Sequence, residues 1–230
     1  MNTSDRKGDF PEILASIVHD MKNSLGMILT AVDETVSDCG PRNCPSSRHL
    51  SQMQYETKRL NNNLVQLLTL YKMDRAQYVP TITDNPVCEF IEETIIQNKP
   101  LLDYRGIDVA TDCPEELYWF FDRNLIAGVI NNILNNAYRY ANNMLRICAR
   151  EENGYLVISV EDNGAGYPEE MMTIAGQEAG ETSFSTGSTG LGIYFASIVA
   201  GLHKNRGKSG RIELKNGCSL GGGCFSVYLP

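Results

Sequence analysis

The sequence lacks several features that would assign a function at once. One tryptophan and three histidines occur among its 230 residues, and no apolar run approaches the ~18–20 residues that cross a bilayer. The first residues, MNTSDRKGDF, hold no signal-peptide core. There is neither a Gly-Lys-Ser/Thr phosphate loop nor a dinucleotide-binding glycine fingerprint directly after a strand. We therefore expect no membrane span in this chain and no nucleotide site of the Walker or Rossmann type.

Positive charge is also scarce, since 20 lysines and arginines face 28 aspartates and glutamates. The net charge is −8 and the isoelectric point is about 4.9. Because the basic side chains form no stripe with interleaved aromatics, we expect no nucleic-acid partner. An acidic chain can still bind a nucleotide where local hydrogen-bond donors and a metal ion offset the phosphate charge.

The seven cysteines are an odd number and show no zinc-type pairing. Cys39 and Cys44 bracket a Gly-Pro-Arg-Asn turn, and a disulfide with a redox role is one interpretation of that pair. The interpretation that we favour is that the thiols are reduced, as is usual in a cytoplasmic protein.

The composition changes near Tyr78-Val79-Pro80, which predicts two domains, residues 1–78 and residues 79–230. In the first domain, apolar side chains recur three and four residues apart in the run Leu14–Val32 and again in Leu50–Tyr71. This heptad spacing predicts two amphipathic helices. Glycine and proline between the two runs predict a turn, so the first domain should be a helical hairpin.

One hairpin cannot bury both apolar seams by itself, whereas two hairpins paired as a four-helix bundle can. We therefore predict a homodimer through residues 10–75. The alternative is that the hairpin packs on the C-terminal domain of its own chain. His19 follows the seam position Val18 and so lies at the edge of the apolar stripe, where its ring is accessible. A lone helical histidine is, however, equally compatible with a structural or solvated role.

Polar residues interrupt the apolar elements of the second domain. The helix predicted over Asp122–Ala141 carries Asn132 and Asn136 on one face, because they are four residues apart. Amide oxygens can ligate a hard cation such as Mg²⁺, although an asparagine-rich solvated face has the same pattern. A strand with alternating apolar residues ends at Asp162, which is followed by glycines. Its carboxylate can accept a hydrogen bond from an exocyclic amine, although an ordinary turn after a strand also fits.

Three further elements are predicted along the second domain. We expect a helix over Asn85–Gln97, a strand over Ile107–Cys113 and a solvated loop at Lys204–Arg211. Gly187, Gly190 and Gly192 precede or begin a helix that starts near Leu191. Glycines let backbone N–H groups approach phosphates, and a helix N-terminus adds a favourable dipole.

The order of these motifs is more specific than any one of them. His-Asp-x-x-Asn on a helical hairpin, an asparagine pair, Asp-x-Gly-x-Gly and Gly-x-Gly follow one another along the chain. This order resembles the two-component sensor histidine kinases over about residues 12–229. The resemblance implies an α+β fold: a helical hairpin that forms a dimeric four-helix bundle, followed by a Bergerat-type α/β sandwich ATP-binding domain of the GHKL type.

The resemblance also implies a role for each matching residue. His19 matches the phospho-accepting histidine, Asp20 its acidic neighbour, and Asn23 the residue that helps to dephosphorylate the partner. Asn136 matches the Mg²⁺ ligand of the asparagine box, and Asp162 matches the aspartate that reads adenine. The remaining matches are expected to contact ATP: Asn132, Arg139, Tyr140, Gly164, Gly166, Thr189, Gly190, Leu191 and Gly192.

The sequence departs from the family pattern in a few places. Ser24 stands where the family most often has a proline, and Arg139 replaces the usual lysine. Only Phe184 is a candidate for the phenylalanine box, within a lid over ATP that we expect at residues 167–189.

The implied function is an ATP-dependent histidine kinase that uses Mg²⁺ and passes the phosphoryl group to an aspartate of a response regulator receiver domain. The resemblance also implies a cytoplasmic homodimer. Because no sensing domain is recognisable in these residues, we expect either a separate sensor or input protein or a sensing domain outside the given sequence. A histidine phosphotransferase relay protein with a vestigial ATP-binding domain is the main alternative. A non-kinase ATPase or serine-directed kinase of the same fold and an interaction module without chemistry are the others.

Overall fold

The computed structural model describes residues 18, 21–23, 25–35, 47–75, 78–169, 171–172 and 190–230. The chain divides into two compact units, Met1–Val79 and Pro80–Pro230. No helix within the described ranges combines the length and the apolar character that a membrane crossing requires. Several predicted features lie outside the described residues, namely most of the expected lid with Phe184 and Gly187, Ser24, Cys39, Cys44, His19, Asp20 and Thr189.

The first unit contains the two predicted helices as far as it is described. Residues 18, 21–23 and 25–35 are helical and are called α1 here, and α2 is Ser47–Asp74. The predicted run Leu50–Tyr71 falls entirely inside α2. The Gln54 side chain of α2 donates a hydrogen bond to the Asp33 carboxylate of α1, so the two helices are in contact.

Apolar side chains of both helices remain exposed in the single chain. On α2, Met53, Leu60 and Leu67 are spaced seven residues apart and are 53%, 47% and 43% exposed. On α1, Met21 and Ile28 have the same spacing and are 50% and 48% exposed. These residues are positions of the predicted heptad seams, and we call them the exposed stripe.

The second unit contains three helices and nine strands among the described residues. The helices are α3 Val87–Arg105, α4 Arg123–Tyr140 and α5 Gly190–Leu202. The strands are β1 Thr83–Pro86, β2 Asp108–Asp112, β3 Tyr118–Phe121, β4 Met144–Glu152, β5 Tyr155–Asp162, β6 Lys204–Asn205, β7 Lys208–Ser209, β8 Arg211–Asn216 and β9 Gly223–Leu229. Five strands form one sheet in the order β2-β4-β5-β9-β8, in which β2 and β4 are parallel and the other pairs antiparallel. Strands β1 and β3 form a two-stranded sheet, and β6 and β7 form another.

The core lies between the three helices and one face of this sheet. Ile147, Val160 and Phe225 stand in register on β4, β5 and β9, and all are buried. On α4, every fourth residue from Leu125 to Ala137 is buried, as the sequence predicted. Each buried aliphatic side chain contributes roughly 1.5–3 kcal/mol relative to an exposed one. An α/β domain is therefore confirmed, whereas the dimeric four-helix bundle remains a prediction.

Two predicted element assignments need correction. Helix α3 begins at Val87, because Asn85 pairs in β1 and its side chain donates to the Phe121 carbonyl oxygen. The same helix continues past Pro100 to Arg105, where burial of the following two leucines favours the helix over the local proline preference. The predicted solvated loop at Lys204–Arg211 contains the short hairpin β6–β7, although its side chains are exposed.

The expectation of reduced thiols also needs correction, because Cys88 and Cys113 form a disulfide with Cα atoms 5.8 Å apart. The two cysteines are 25 residues apart, so their spacing gave no indication of the pairing. The Val87 N–H donates to the Leu117 carbonyl oxygen at 2.9 Å, which brings the start of α3 beside the β2–β3 connection. Cys148, Cys218 and Cys224 are free.

His203 connects the end of α5 to the start of α4. Its Nε2 atom accepts a hydrogen bond from the Asp122 N–H at 3.0 Å, and its Nδ1 atom lies 2.8 Å from the Val199 carbonyl oxygen. Asp122 caps α4 by accepting from the Leu125 N–H at 3.0 Å, and it also accepts from the Thr81 N–H at 2.8 Å. Since Nε2 accepts, the ring must be neutral with its proton on Nδ1.

Acidification is expected to destabilise the second unit through His203. Burial lowers the pKa of His203 from its ordinary 6.5, against the raising effects of the Val199 carbonyl and the Asp122 carboxylate. The neutral His203 ring therefore makes its full contribution to the free energy of unfolding above about pH 6.5. This contribution is lost as the pH falls, because the unfolded chain binds the proton more readily than the folded one. Urea titrations at about pH 7.5 and about pH 5.5 should show a larger loss for the wild type than for His203→Gln, which cannot titrate. Equal losses would contradict this assignment.

Candidate functional site

A cavity of about 330 Å³ lies in the second unit between α4, the end of β5, the connection that follows β5 and the start of α5. Its volume is at the lower end of the range for small-molecule sites. Most of its wall is apolar, and a few polar groups converge on it. The lining residues are Ile133, Asn136, Ala137, Tyr140, Val160, Asp162, Ala165, Gly166, Tyr167, Pro168, Met171 and Ile193.

Asp162 is the carboxylate of this cavity, and backbone donors fix its orientation. Its Oδ1 atom accepts from the Gly164 N–H at 2.7 Å and from the Gly223 N–H at 3.2 Å. Its own carbonyl oxygen accepts from the Gly222 N–H at 3.1 Å. Within the described ranges, no hydrogen bond engages Oδ2. The side chain therefore presents one oriented acceptor to a ligand that carries an N–H or O–H donor.

The close approach of two chain segments explains the glycine at position 164. A Cβ atom there would lie 2.2 Å from the Tyr140 carbonyl oxygen and 2.9 Å from the Asp162 Oδ1 atom. Only glycine lets the end of α4 lie this close to the residues after β5. Asn163 fixes the same junction, since its Oδ1 atom accepts from the backbone N–H groups of residues 142–144.

Helix α4 supplies the polar side chains opposite Asp162. Asn136 and Tyr140 lie one turn apart and both line the cavity. Asn132 lies one turn earlier, against the start of α5, where a Cβ atom on Gly192 would be 2.2 Å from its Nδ2 atom. That Nδ2 atom is buried and has no hydrogen-bond partner among the described residues. An unpartnered donor beside a helix N-terminus suits an anionic group.

Alanine at position 192 is expected to destabilise the second unit, whereas alanine at position 201 of the same helix is not. The new methyl group at residue 192 would displace the buried Asn132 amide, and such overpacking costs about 1–3 kcal/mol. Nothing lies within 4 Å of a Cβ atom at Gly201, so Gly201→Ala should be neutral or stabilising by up to about 1 kcal/mol. Urea denaturation of both variants measures the difference, and equal stabilities would refute the close approach.

Some of the sequence-predicted residues meet at this cavity, and others do not. Asn136, Tyr140, Asp162 and Gly166 line it. Next to it lie Asn132, Gly164, Gly190, Leu191 and Gly192. The Arg139 guanidinium lies 5.4 Å from the centre of the Tyr140 ring and does not line the cavity. Asn23 is exposed in the first unit, and His19, Asp20 and Thr189 lie outside the described residues.

Sequence reasoning missed Tyr167 and Asn216. Tyr167 lines the cavity directly after the second glycine of the Asp-x-Gly-x-Gly motif, so its position could have been noticed. Burial and the nearby Asp162 carboxylate raise the pKa of Tyr167, which therefore stays protonated at neutral pH. Asn216 is hydrogen-bonded to Tyr167 from 49 residues further along the chain, and no local signal indicated it.

Residues 121–230 match the family described as Histidine kinase-, DNA gyrase B-, and HSP90-like ATPase. The matched region includes α4, β5 and α5, and therefore every residue that lines the cavity. The class that this fold and cavity define is the ATP-binding domain of that family.

Similarity to sensor kinases covers the helical unit as well. The chain is 26% identical to the sensor-like histidine kinase SenX3 of Mycobacterium tuberculosis over 95% of its own length and 53% of that protein. It is 22% identical to the sensor protein SrrB of Staphylococcus aureus over 100% of its own length and 39% of that protein. The chain thus spans about half, or less, of these relatives. Residues 121–230 thus form a GHKL-type ATP-binding domain, and the chain as a whole is similar to two-component sensor histidine kinases.

Solved structures share the fold. The histidine kinase AdeS of Acinetobacter baumannii is 19% identical, with a TM-score of 0.59 over 92% of this chain and 96% of that one. The catalytic domain of the histidine kinase ThkA is 23% identical, with a TM-score of 0.54 over 65% of this chain and 95% of that one.

Proposed function

We propose that the chain is an ATP-dependent protein histidine kinase that phosphorylates itself on His19 and passes the phosphoryl group to an aspartate of a response regulator. The observation that carries the proposal is the cavity in which the asparagine-box and first-glycine-box residues converge on one oriented carboxylate. Its apolar walls suit a planar base, and the free acceptor of Asp162 suits an exocyclic amine such as that of adenine. ATP meets both requirements, and its phosphates would reach the Asn132 amide and the start of α5.

The residues at the phosphate end suit a magnesium ion that arrives with the nucleotide. In the part of the chain that the structure describes, no cluster of three or more His, Cys, Asp or Glu side chains could hold a metal. Mg²⁺ usually takes one or two protein oxygens and completes its shell with phosphate and water. Among the described residues, Asn136 is the one asparagine that lines the cavity, and we propose its amide oxygen as the protein ligand. The predicted phosphate contacts of Arg139, Thr189 and Leu191 remain predictions.

Asn136→Ala should weaken the binding of Mg-ATP by at least about tenfold. Removing a residue that only hydrogen-bonds to a metal ligand already lowers the metal affinity by that factor, and Asn136 is proposed as a ligand itself. ATP binding measured with EDTA should change much less, since the metal is then absent from both proteins. Calorimetric titration with and without Mg²⁺ separates the two contributions. Asn98→Ala is a suitable control, because that side chain bonds to Thr94 and Asn131 and does not line the cavity. Equal Mg-ATP affinities of wild type and Asn136→Ala would exclude the assignment.

In the proposed phosphoryl transfer, a neutral imidazole nitrogen of His19 attacks the γ-phosphorus while the bond to the leaving ADP oxygen breaks. Asp20 would accept a hydrogen bond from the other ring nitrogen and so stabilise the developing positive charge. In the reverse, phosphatase direction, Asn23 would orient a water molecule at the aspartyl phosphate of the regulator. Asn23 is exposed, as a residue that must meet a partner protein should be.

We further propose that two chains pair through residues 10–75 as a four-helix bundle, within a phosphotransfer domain of residues 1–78 that precedes an ATP-binding domain of residues 79–230. The exposed stripe supports this proposal, because its heptad spacing matches a helix-bundle seam.

Light scattering should give twice the mass of one chain. Leu60→Glu, in the middle of the stripe, should shift the protein to monomers, whereas the exposed Lys72→Glu should not. A monomeric wild type would contradict the proposal.

The decisive experiment is incubation of the purified chain with γ-labelled ATP. A protein-bound label that is lost in acid but kept in base is expected, because phosphohistidine has that lability. The names of the relatives give no support to a relay protein, which would take up phosphate only from a phosphorylated donor. A response regulator and a cytoplasmic location complete the proposal, since ATP and receiver domains are found in that compartment.

A further inference from the structure

Asn216 joins two segments of the second unit that are far apart in sequence. It is the last residue of β8, and its Oδ1 atom accepts from the Tyr167 N–H at 2.7 Å. Its Nδ2 atom donates to the Tyr167 carbonyl oxygen at 2.8 Å. The amide thus engages both backbone groups of one residue, as a neighbouring strand would. Tyr167 belongs to the connection after β5, which forms one wall of the cavity.

Gly166, the second glycine of the Asp-x-Gly-x-Gly motif, leaves space for the Asn216 side chain. A Cβ atom on Gly166 would lie 2.7 Å from the Asn216 Oδ1 atom, so any side chain there would push the amide away. Gly166 also has a φ of 82°, which other residues rarely adopt. Two constraints therefore require glycine at position 166, namely the close contact with Asn216 of β8 and the positive φ angle.

Further contacts connect Tyr167 to the Asp162 carboxylate. A Cβ atom on Gly223 would lie 2.8 Å from the Cε2 atom of Tyr167, so the ring rests against the backbone at the start of β9. The Gly223 N–H in turn donates to Asp162 Oδ1. Asn216, Tyr167, Gly223 and Asp162 therefore form one continuous set of contacts along the edge of the cavity.

We propose that Asn216 is a positioning residue for nucleotide binding. It holds Tyr167, which forms part of the cavity wall, at a fixed distance from the Asp162 carboxylate. This inference rests on the proposed function, because it assumes that the cavity takes the base of ATP. Asn216 does not line the cavity and acts through Tyr167. The ring of Tyr167 gives the base an aromatic surface, and aromatic rings in contact stabilise each other beyond the burial of their area.

Asparagine is the side chain that this position requires. Aspartate has the same shape and still accepts from the Tyr167 N–H, but it places a second acceptor against the Tyr167 carbonyl oxygen. Alanine removes both hydrogen bonds. Either variant weakens the connection between β8 and Tyr167, so the position of Tyr167 in the cavity wall should no longer be fixed.

The test is the affinity of the full chain for ADP, measured by calorimetry on the wild type, Asn216→Ala, Asn216→Asp and Asn85→Ala. Asn85 is a matched control, because its amide also donates to distant backbone, at the Phe121 carbonyl oxygen, and it is not among the residues that line the cavity. We expect Kd to rise about tenfold in both Asn216 variants, which corresponds to the loss of one to two hydrogen bonds, and to stay within about twofold in Asn85→Ala.

The rate of autophosphorylation separates positioning from a general loss of structure. The ATP concentration that gives half of the maximal rate constant, an apparent KM, should rise about as much as Kd, while the rate constant at saturating ATP stays within about twofold. Wild-type affinity in either Asn216 variant, or an equal loss in Asn85→Ala, would overturn the inference and leave the proposed function standing. A wild type that binds no adenine nucleotide would overturn both.

Discussion

Replacing His19 with alanine is expected to abolish autophosphorylation completely while ATP binding stays within about twofold of the wild type. The proposed nucleophile is lost, and His49 is the one other histidine in the first unit of the sequence. The residues proposed to hold ATP all belong to the second unit, so the nucleotide affinity should not change. Incubation with γ-labelled ATP and acid treatment measures the first effect, and calorimetry measures the second.

The small number of histidines makes the control unambiguous, since the chain has only three. His49→Ala, in the second helix of the same hairpin, should keep the acid-labile label at the wild-type level. A His19→Ala variant that still acquires the label would remove His19 from the reaction, and a further His49→Ala variant would then identify the alternative acceptor.

Replacing Asp162 with asparagine should raise the Kd for ATP about a hundredfold, the upper range for loss of a hydrogen bond to a charged group. The shape is unchanged, and an amide oxygen can still accept from the Gly164 and Gly223 N–H groups. The amide NH₂ then takes the place of Oδ2, so a donor would face the exocyclic amine of adenine. Calorimetric titration with ATP measures the effect.

Asp112→Asn is the matched control for this variant. Asp112 ends β2 at the edge of the sheet, where its carboxylate pairs with Arg146 at 2.7 Å, and it is exposed. Exposed pairs of this kind contribute little, so both the stability and the ATP affinity should stay near those of the wild type. If Asp162→Asn binds ATP as tightly as Asp112→Asn does, Asp162 does not read the base.

Local sequence patterns predicted the elements that build the site. The four-residue period of α4 placed Asn136 and Tyr140 on one face, and alternation along β5 placed Asp162 at a strand end. Both predictions rest on geometry within a single element, which neighbouring residues determine. The structure brings these side chains to one cavity because α4 packs beside β5.

Contacts between distant segments could not be predicted in this way. The Asn216–Tyr167 hydrogen bonds and the Cys88–Cys113 disulfide depend on how β8 and α3 pack against other segments. His203 has no motif around it, and only the packed structure shows that its ring accepts from the Asp122 N–H. The exposure of the stripe on α1 and α2 is likewise a property of the folded chain.

The exposed stripe has a consequence for how the two units respond to dilution. The second unit buries Val160 and Phe225 in a core of its own, so we expect its stability not to depend on protein concentration. In the proposed dimer, the hairpin completes its core only by association, and its stability then follows mass action. A dilute sample would accordingly keep its proposed capacity to bind ATP while losing the dimeric hairpin that carries His19, the proposed acceptor. Autophosphorylation would then be lost through dissociation at concentrations where the second unit is still folded.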